Sequence, residues 1–330
     1  MLKRLSFICA LALASPALSQ SVDAVVDEHV LPGYQALVDA TAALSDVAQM
    51  NCDPGHPDLQ EAYHAAFDAW TRVSHLRFGP SETDQRAFAL AFWPDPRGST
   101  QKTLAALISD NDPVIETVET FATVSVAARG FYALEFLLFE PSFATMGEAE
   151  YRCGLIIAVA REIASNSALI QSDWKTEYAG LMRNAGENDT FRTEQEALRQ
   201  LFTALSTGLE FTADVRLGRP LGTFDRPRPK RAEARRSQRS LRNVLLALEG
   251  TRPLAALLSQ GGADLDALFE RALERGEGID DPVFANVAEP QGRIRVEALQ
   301  QNINLIRQEI AEELGPKLGV AAGFNSLDGD

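Results

Sequence analysis

Apolar residues recur at helical spacing along most of the chain, and no stretch alternates at strand spacing. In PDLQEAYHAAFDAWTRVSHLRF, Ala62, Tyr63, Ala66, Phe67, Trp70 and Val73 each lie three, four or a sum of such steps after Leu59, so they line one face of an α-helix. The same pattern predicts helices over 22–49, 114–139, 148–170, 193–217, 232–248 and 293–314. β-Branched residues do not cluster, and the Pro and Gly punctuation falls between helical stretches, at Asp53-Pro54-Gly55, Gly79-Pro80, Pro94-Asp95-Pro96 and Glu140-Pro141. An amphipathic helix has to bury its stripe against a neighbour. The expected fold class is therefore all-α, as helix bundles joined by short turns. At 330 residues the chain is long enough for about two such domains.

The first residues, MLKRLSFICALALASPALSQ, put Lys3 and Arg4 before an apolar run from Leu5 to Leu13, then small residues Ala17 and Ser19 at the spacing of a cleavage site. This reads as a secretory signal peptide over 1–19, too short in its apolar part to span a bilayer. No later stretch reads as a transmembrane helix. Export sets the meaning of the cysteines. Of three, Cys9 leaves with the signal, and Cys52 and Cys153 remain as an even pair in an oxidising compartment. A disulfide between them is expected, the alternative being two free buried thiols. The formal net charge of −15 argues against nucleic-acid binding, because phosphates would be repelled.

Inside RGFYALEFLLFE, Arg129 to Glu140, Glu135 stands among residues that favour a dry environment. An ionised carboxylate buried without a partner costs on the order of several kcal/mol. Glu135 must therefore have a partner, hold a proton or face a cavity. Tyr132 is three residues away and on the same helical face, so the two can hydrogen-bond to each other or offer hard oxygen donors to one cation. Asp95, held between two prolines, is placed as a fixed ligand or as a cap for a helix beginning near Ser99. Arg77 could neutralise Glu135 or Asp95. His64, Asp68, Arg72 and His75 follow one stripe, read as a solvated or inter-bundle face because Arg72 lies between the two histidines. His29 and His56 complete the histidines. One segment departs from the acidic remainder: RLGRPLGTFDRPRPKRAEARRSQRSLR, residues 216–242. It reads either as a solvated connector leading into the next helix, or as an arm that crosses the partner bundle or holds an anionic ligand.

The run Gly130-Phe131-Tyr132-Ala133-Leu134-Glu135 and the apolar residues after it resemble the signature helix of the imelysin family, whose motif is Gly-x-His-x-x-Glu. LRFGP (Leu76–Pro80), FWPDPRG (Phe92–Gly98) and SQRSLRNVL (Ser237–Leu245) fit the same family. The resemblance implies two four-helix bundles side by side, here 20–170 with the motif and 171–330 with the basic loop near 218–236, the boundary falling somewhere in 165–190. It implies a site near the motif helix, a periplasmic or cell-envelope location in a Gram-negative bacterium, and a role in iron uptake with an envelope iron-transport component as partner. It also carries a peptidase label, attached to the His-x-x-Glu pair as a metal site. Here Tyr132 stands in place of that histidine, so the zinc reading loses its nitrogen donor. Tyrosinate and carboxylate remain compatible with ferric iron. The expected site is Arg77, Asp95, Tyr132 and Glu135, with Tyr132, Glu135 and Asp95 as donors if iron binds directly. The favoured reading is a non-catalytic ligand-binding protein. A metal-dependent hydrolase and a helical scaffold with a degenerate motif are the alternatives.

Overall fold

Stripes of apolar residues pair the helices in two groups of four. The computed structural model describes residues 22–320, so the signal-peptide reading of 1–19 lies outside the described residues. In the first group, α1 (Leu31–Met50, led in by a π-turn at Val26–Val30) packs along α2 (Pro57–Val73) and α5 (Ala149–Asp173), and α4 (Gly130–Phe139) packs against α2 and α5. Helix α3 (Ser99–Asp110) leans on α4 from outside. In the second group, α7 (Ser240–Ser259) packs on α6 (Glu194–Glu210) and α8 (Ala263–Glu277), and α9 (Pro290–Glu309) closes the bundle against α8 and α6. Among the described residues there is no strand, only an isolated bridge between Thr223 and Arg226.

The bundles meet where α2 crosses α7. The approach is close enough that a Cβ on Gly250 would sit 2.1 Å from the Arg72 carbonyl oxygen, so only glycine fits at that point of α7. Helix α5 continues through a π-turn at Trp174–Tyr178 into Ala179–Arg183. It therefore runs straight through position 170, and the turn over 184–193 joins it to α6. By length and composition the run Ala149–Arg183 could cross a membrane, a property the sequence reading passed over. In the fold 56% of its most apolar window is buried, and it serves as a core helix.

The expected helix over 114–139 is broken. Short turns at Pro113–Glu116, Val118–Phe121 and Val126–Ala128 precede α4, which starts at Gly130. Gly130 has φ +71, and a Cβ there would lie 2.2 Å from the carbonyl oxygens of Ala89 and Leu90. The expected helix over 232–248 starts late, at Ser240, and runs on past Pro253. Residues 232–239 are not helical because Ala234 and Gln238 take left-handed conformations, with φ 44 and φ 60. Helix α8 was not foreseen, although Leu265, Phe269 and Ala272 form a readable stripe in it.

Cys52 and Cys153 are bonded, their Cα atoms 5.1 Å apart. The bridge ties the turn after α1 to the first turns of α5 and spans a sequence separation of 101. Free-thiol titration of denatured, unreduced protein lacking residues 1–19 should find none. The double variant Cys52→Ser/Cys153→Ser should lose about 2–4 kcal/mol in denaturant unfolding, as expected when a long loop is released in the unfolded chain.

Candidate functional site between the bundles

Helix α4 presents Glu135 and Tyr132 to the second half of the chain. Glu135 is 2% exposed. Its Oε1 accepts from the Ser237 backbone N–H at 3.0 Å and from the Ser237 hydroxyl at 2.8 Å. Burial pushes its pKa up, while the Ser237 donors and the nearby Arg236 charge pull against that rise. The Tyr132 hydroxyl donates to Glu233, whose other oxygen accepts from Arg216 Nε at 2.8 Å. Burial, and then the Glu233 charge, push the phenol well above its ordinary pKa. The two residues that spacing places on one face thus do not bond to each other. Each finds a stronger partner on the segment 233–237: an anionic acceptor for the phenol, and two donors for the carboxylate.

Two cavities meet at Tyr132. The first, about 460 Å³, lies between α2, α6 and α7 and is lined by Trp70, Thr71, His75, Phe211 and Glu233 among others. Its second-bundle wall includes Phe211, Val215 and Arg216 from the π-turn Phe211–Leu217, which continues α6. The second, about 340 Å³, lies beside α4 and the basic segment and is lined by Asp95, Glu135 and five Lys or Arg residues. Trp93 and Tyr132 line both, with their rings 6.2 Å apart, so this pair forms a shared wall.

The remaining expected residues are divided between these spaces. Asp95 lines the second cavity, and its two oxygens accept the N–H groups of Ser99 and Thr100 in the first turn of α3, at 2.9 and 2.8 Å. Partial desolvation raises its pKa, but those N–H groups outweigh it and the net shift is downward. Arg77 lines the first cavity and pairs with Glu82 at 2.6 Å, so it does not neutralise Glu135 or Asp95. The positive charge near Glu135 comes instead from Arg236, which is itself held by Glu140 at 2.7 Å.

The stripe on α2 is an inter-bundle seam. Asp68 receives Arg239 and Arg242, the latter through Nε at 2.8 Å. Arg239 also reaches the His64 ring at 3.0 Å, and Arg72 pairs with Glu249 at 2.7 Å. His75 shares a 2.9 Å N···N hydrogen bond with His29, and its Nδ1 is buried without a partner at the first cavity. Sequence reasoning missed Glu233, Ser237, Arg216 and Trp93 as parts of the site. The signal available was the basic segment itself, where Glu233 is the lone carboxylate among arginines in RPKRAEARRSQRS.

The family described as Imelysin matches residues 30–310. Iron-regulated protein A of Synechococcus elongatus is 23% identical, the alignment covering 90% of this chain and 86% of that protein. Among solved structures, an imelysin-like protein from Psychrobacter arcticum superposes with a TM-score of 0.77 at 18% identity, over 96% of this chain and all of the other. A chain described as an iron-regulated protein A precursor, from Parabacteroides distasonis, gives 0.71 at 16% identity, over 90% and 97%.

Two outcomes are expected from this geometry. Tyr132→Phe leaves Glu233 short of a hydrogen bond in a buried setting and should cost about 1–3 kcal/mol of stability. Burial holds His29 at a pKa of about 4, and burial followed by the His29 and Arg216 charges holds His75 well below its ordinary value. A histidine depressed in the fold takes its proton first in the unfolded chain, so stability falls as pH drops from the unfolded value toward the folded one. For His29 alone the loss at pH 5 is on the order of 2 kcal/mol. Glu135 and Glu162, both raised by burial, act with the opposite sign, so the histidine part is read as a difference. Between pH 7 and 5, the wild type should lose more stability than His29→Gln/His75→Gln.

Proposed function

The chain belongs to the imelysin family, and on that footing we propose that it is an exported, non-catalytic ligand-binding protein of the cell envelope that serves iron acquisition. The observation that carries this reading is the pair of cavities joined at Tyr132, on the motif helix and between the bundles. Concave sites with aromatic walls and a few convergent polar groups are the usual form of a small-molecule site. The iron assignment is supported by the similarity to iron-regulated protein A of Synechococcus elongatus. Export, to the periplasm or cell envelope of a Gram-negative bacterium, is supported by the charged and apolar first residues.

The donor set bears on the form of iron that fits. A bare ferric ion would call on Tyr132, Glu135 and Asp95. Burial and Glu233 hold the Tyr132 phenol protonated, the N–H groups of Ser99 and Thr100 occupy both oxygens of Asp95, and Ser237 engages Glu135. These residues do not fit a naked cation, and iron held in a small-molecule complex fits better. The peptidase reading has less support. Tyr132 replaces the nitrogen donor, and among the described residues no group of three or more His, Cys, Asp or Glu side chains converges as a metal site.

Protein lacking residues 1–19, incubated with ferric citrate and desalted, should retain about one iron per chain. Tyr132→Phe and Glu135→Gln should each retain markedly less while keeping wild-type helicity. Casein should not be cleaved, with or without added zinc. Iron retention unchanged in both variants, or metal-dependent proteolysis lost in Glu135→Ala, would overturn the reading.

A further inference from the structure

The cavity beside α4 has an unusual charge balance for a chain of net −15. Arg219, Lys230, Arg231, Arg235 and Arg236 all line it. Arg236 is paired with Glu140. The other four make no salt bridge among the described residues. Unpaired arginines such as Arg226 and Arg275 also occur on the open surface, but Arg216 and Arg239, both buried, each have a carboxylate partner. Arg219 is the most constrained of the four. Its guanidinium lies over the Trp93 ring, 5.6 Å from the centroid, and its Nε is buried without a hydrogen-bond partner. Burial and the nearby Arg231 charge both disfavour its charged form. Like charges gathered around one space, with an N–H left unanswered, are stabilised by an anion placed between them.

The carboxylates in the same cavity do not supply that anion. Both oxygens of Asp95 are engaged by the N–H groups of Ser99 and Thr100. Glu135 is engaged by Ser237 through Oε1. The guanidinium geometry favours planar or tetrahedral oxyanions, which accept paired N–H donors. Trp93 adds an apolar wall that a bare inorganic ion would not use but a small organic acid would.

We infer that this cavity binds a small oxyanion-bearing molecule, a polycarboxylate or phosphate compound, gripped by Arg219, Lys230, Arg231 and Arg235 against Trp93. The inference deepens the ligand-binding reading and rests on it, but it does not require the ligand to carry iron.

Calorimetric titration of the full exported protein with citrate, and separately with inorganic phosphate, tests it. Saturable binding of at least one is expected, with a change in tryptophan fluorescence that Trp93→Phe abolishes. Arg219→Gln/Arg231→Gln should weaken that binding roughly tenfold or more. Arg271→Gln, in a surface cleft of the second bundle, should leave it unchanged. Stronger binding of citrate than phosphate would assign an organic acid, and the reverse a phosphate compound. Absence of binding by either at millimolar concentration would overturn the inference, as would affinity unchanged in the double variant. Ferric citrate separates the two readings. Iron retained equally by wild type and the double variant, with citrate affinity also equal in the two, removes the anion site and leaves the iron reading. Citrate bound through the arginines without iron retention does the opposite.

Discussion

A carboxylate sealed inside an apolar helix has to be met by donors, and the way Glu135 is met organises the centre of this molecule. Its donors come from Ser237, as a backbone N–H and a hydroxyl together. The interior of a helix could not offer that N–H, since it would be spent on its own helix. Residues 232–239 therefore stay irregular, with Ala234 and Gln238 left-handed. The same irregular segment sends Glu233 to Tyr132 and Arg239 to Asp68. Removing the donors would leave an orphaned charge of the kind that costs several times an ordinary hydrogen bond.

The contacts between the bundles divide into two kinds of work. Close packing of α2 on α7, made possible by Gly250, supplies the area and the dispersion contacts. The ion pairs along the seam contribute less net energy, because desolvation offsets most of their attraction. Their effect is on register. Arg239 is 1% exposed and donates to Asp68 and His64 in the observed alignment, so a shifted crossing would bury a guanidinium without an acceptor.

How much of this was readable in advance follows from the range of each interaction. Helix faces such as Leu59 to Val73 repeat locally, so periodicity found them. The pairing of Cys52 with Cys153 followed from counting. Tyr132 and Glu135 were singled out because a polar pair in an apolar helix is visible in a short window. Their true partners, Glu233 and Ser237, lie about a hundred positions downstream. Spacing rules reach only three or four residues and assigned the two side chains to each other. The same limit misplaced Arg77, whose partner Glu82 is local, as a counter-charge for groups far away. The break at Gly130 was missed for a related reason: its cause is the backbone of Ala89 and Leu90, in a different element.

The distance between Glu135 and its donors also orders events in time. A chain is made from its N-terminus, so α1, α2, α4 and α5 all exist before residue 237 does. Until Ser237 arrives, the first bundle has its whole apolar stripe but an unanswered charge at its centre, and only water or a proton can satisfy Glu135 in the meantime. The motif helix is thus among the earlier parts of the molecule to be synthesised and among the later ones to be completed.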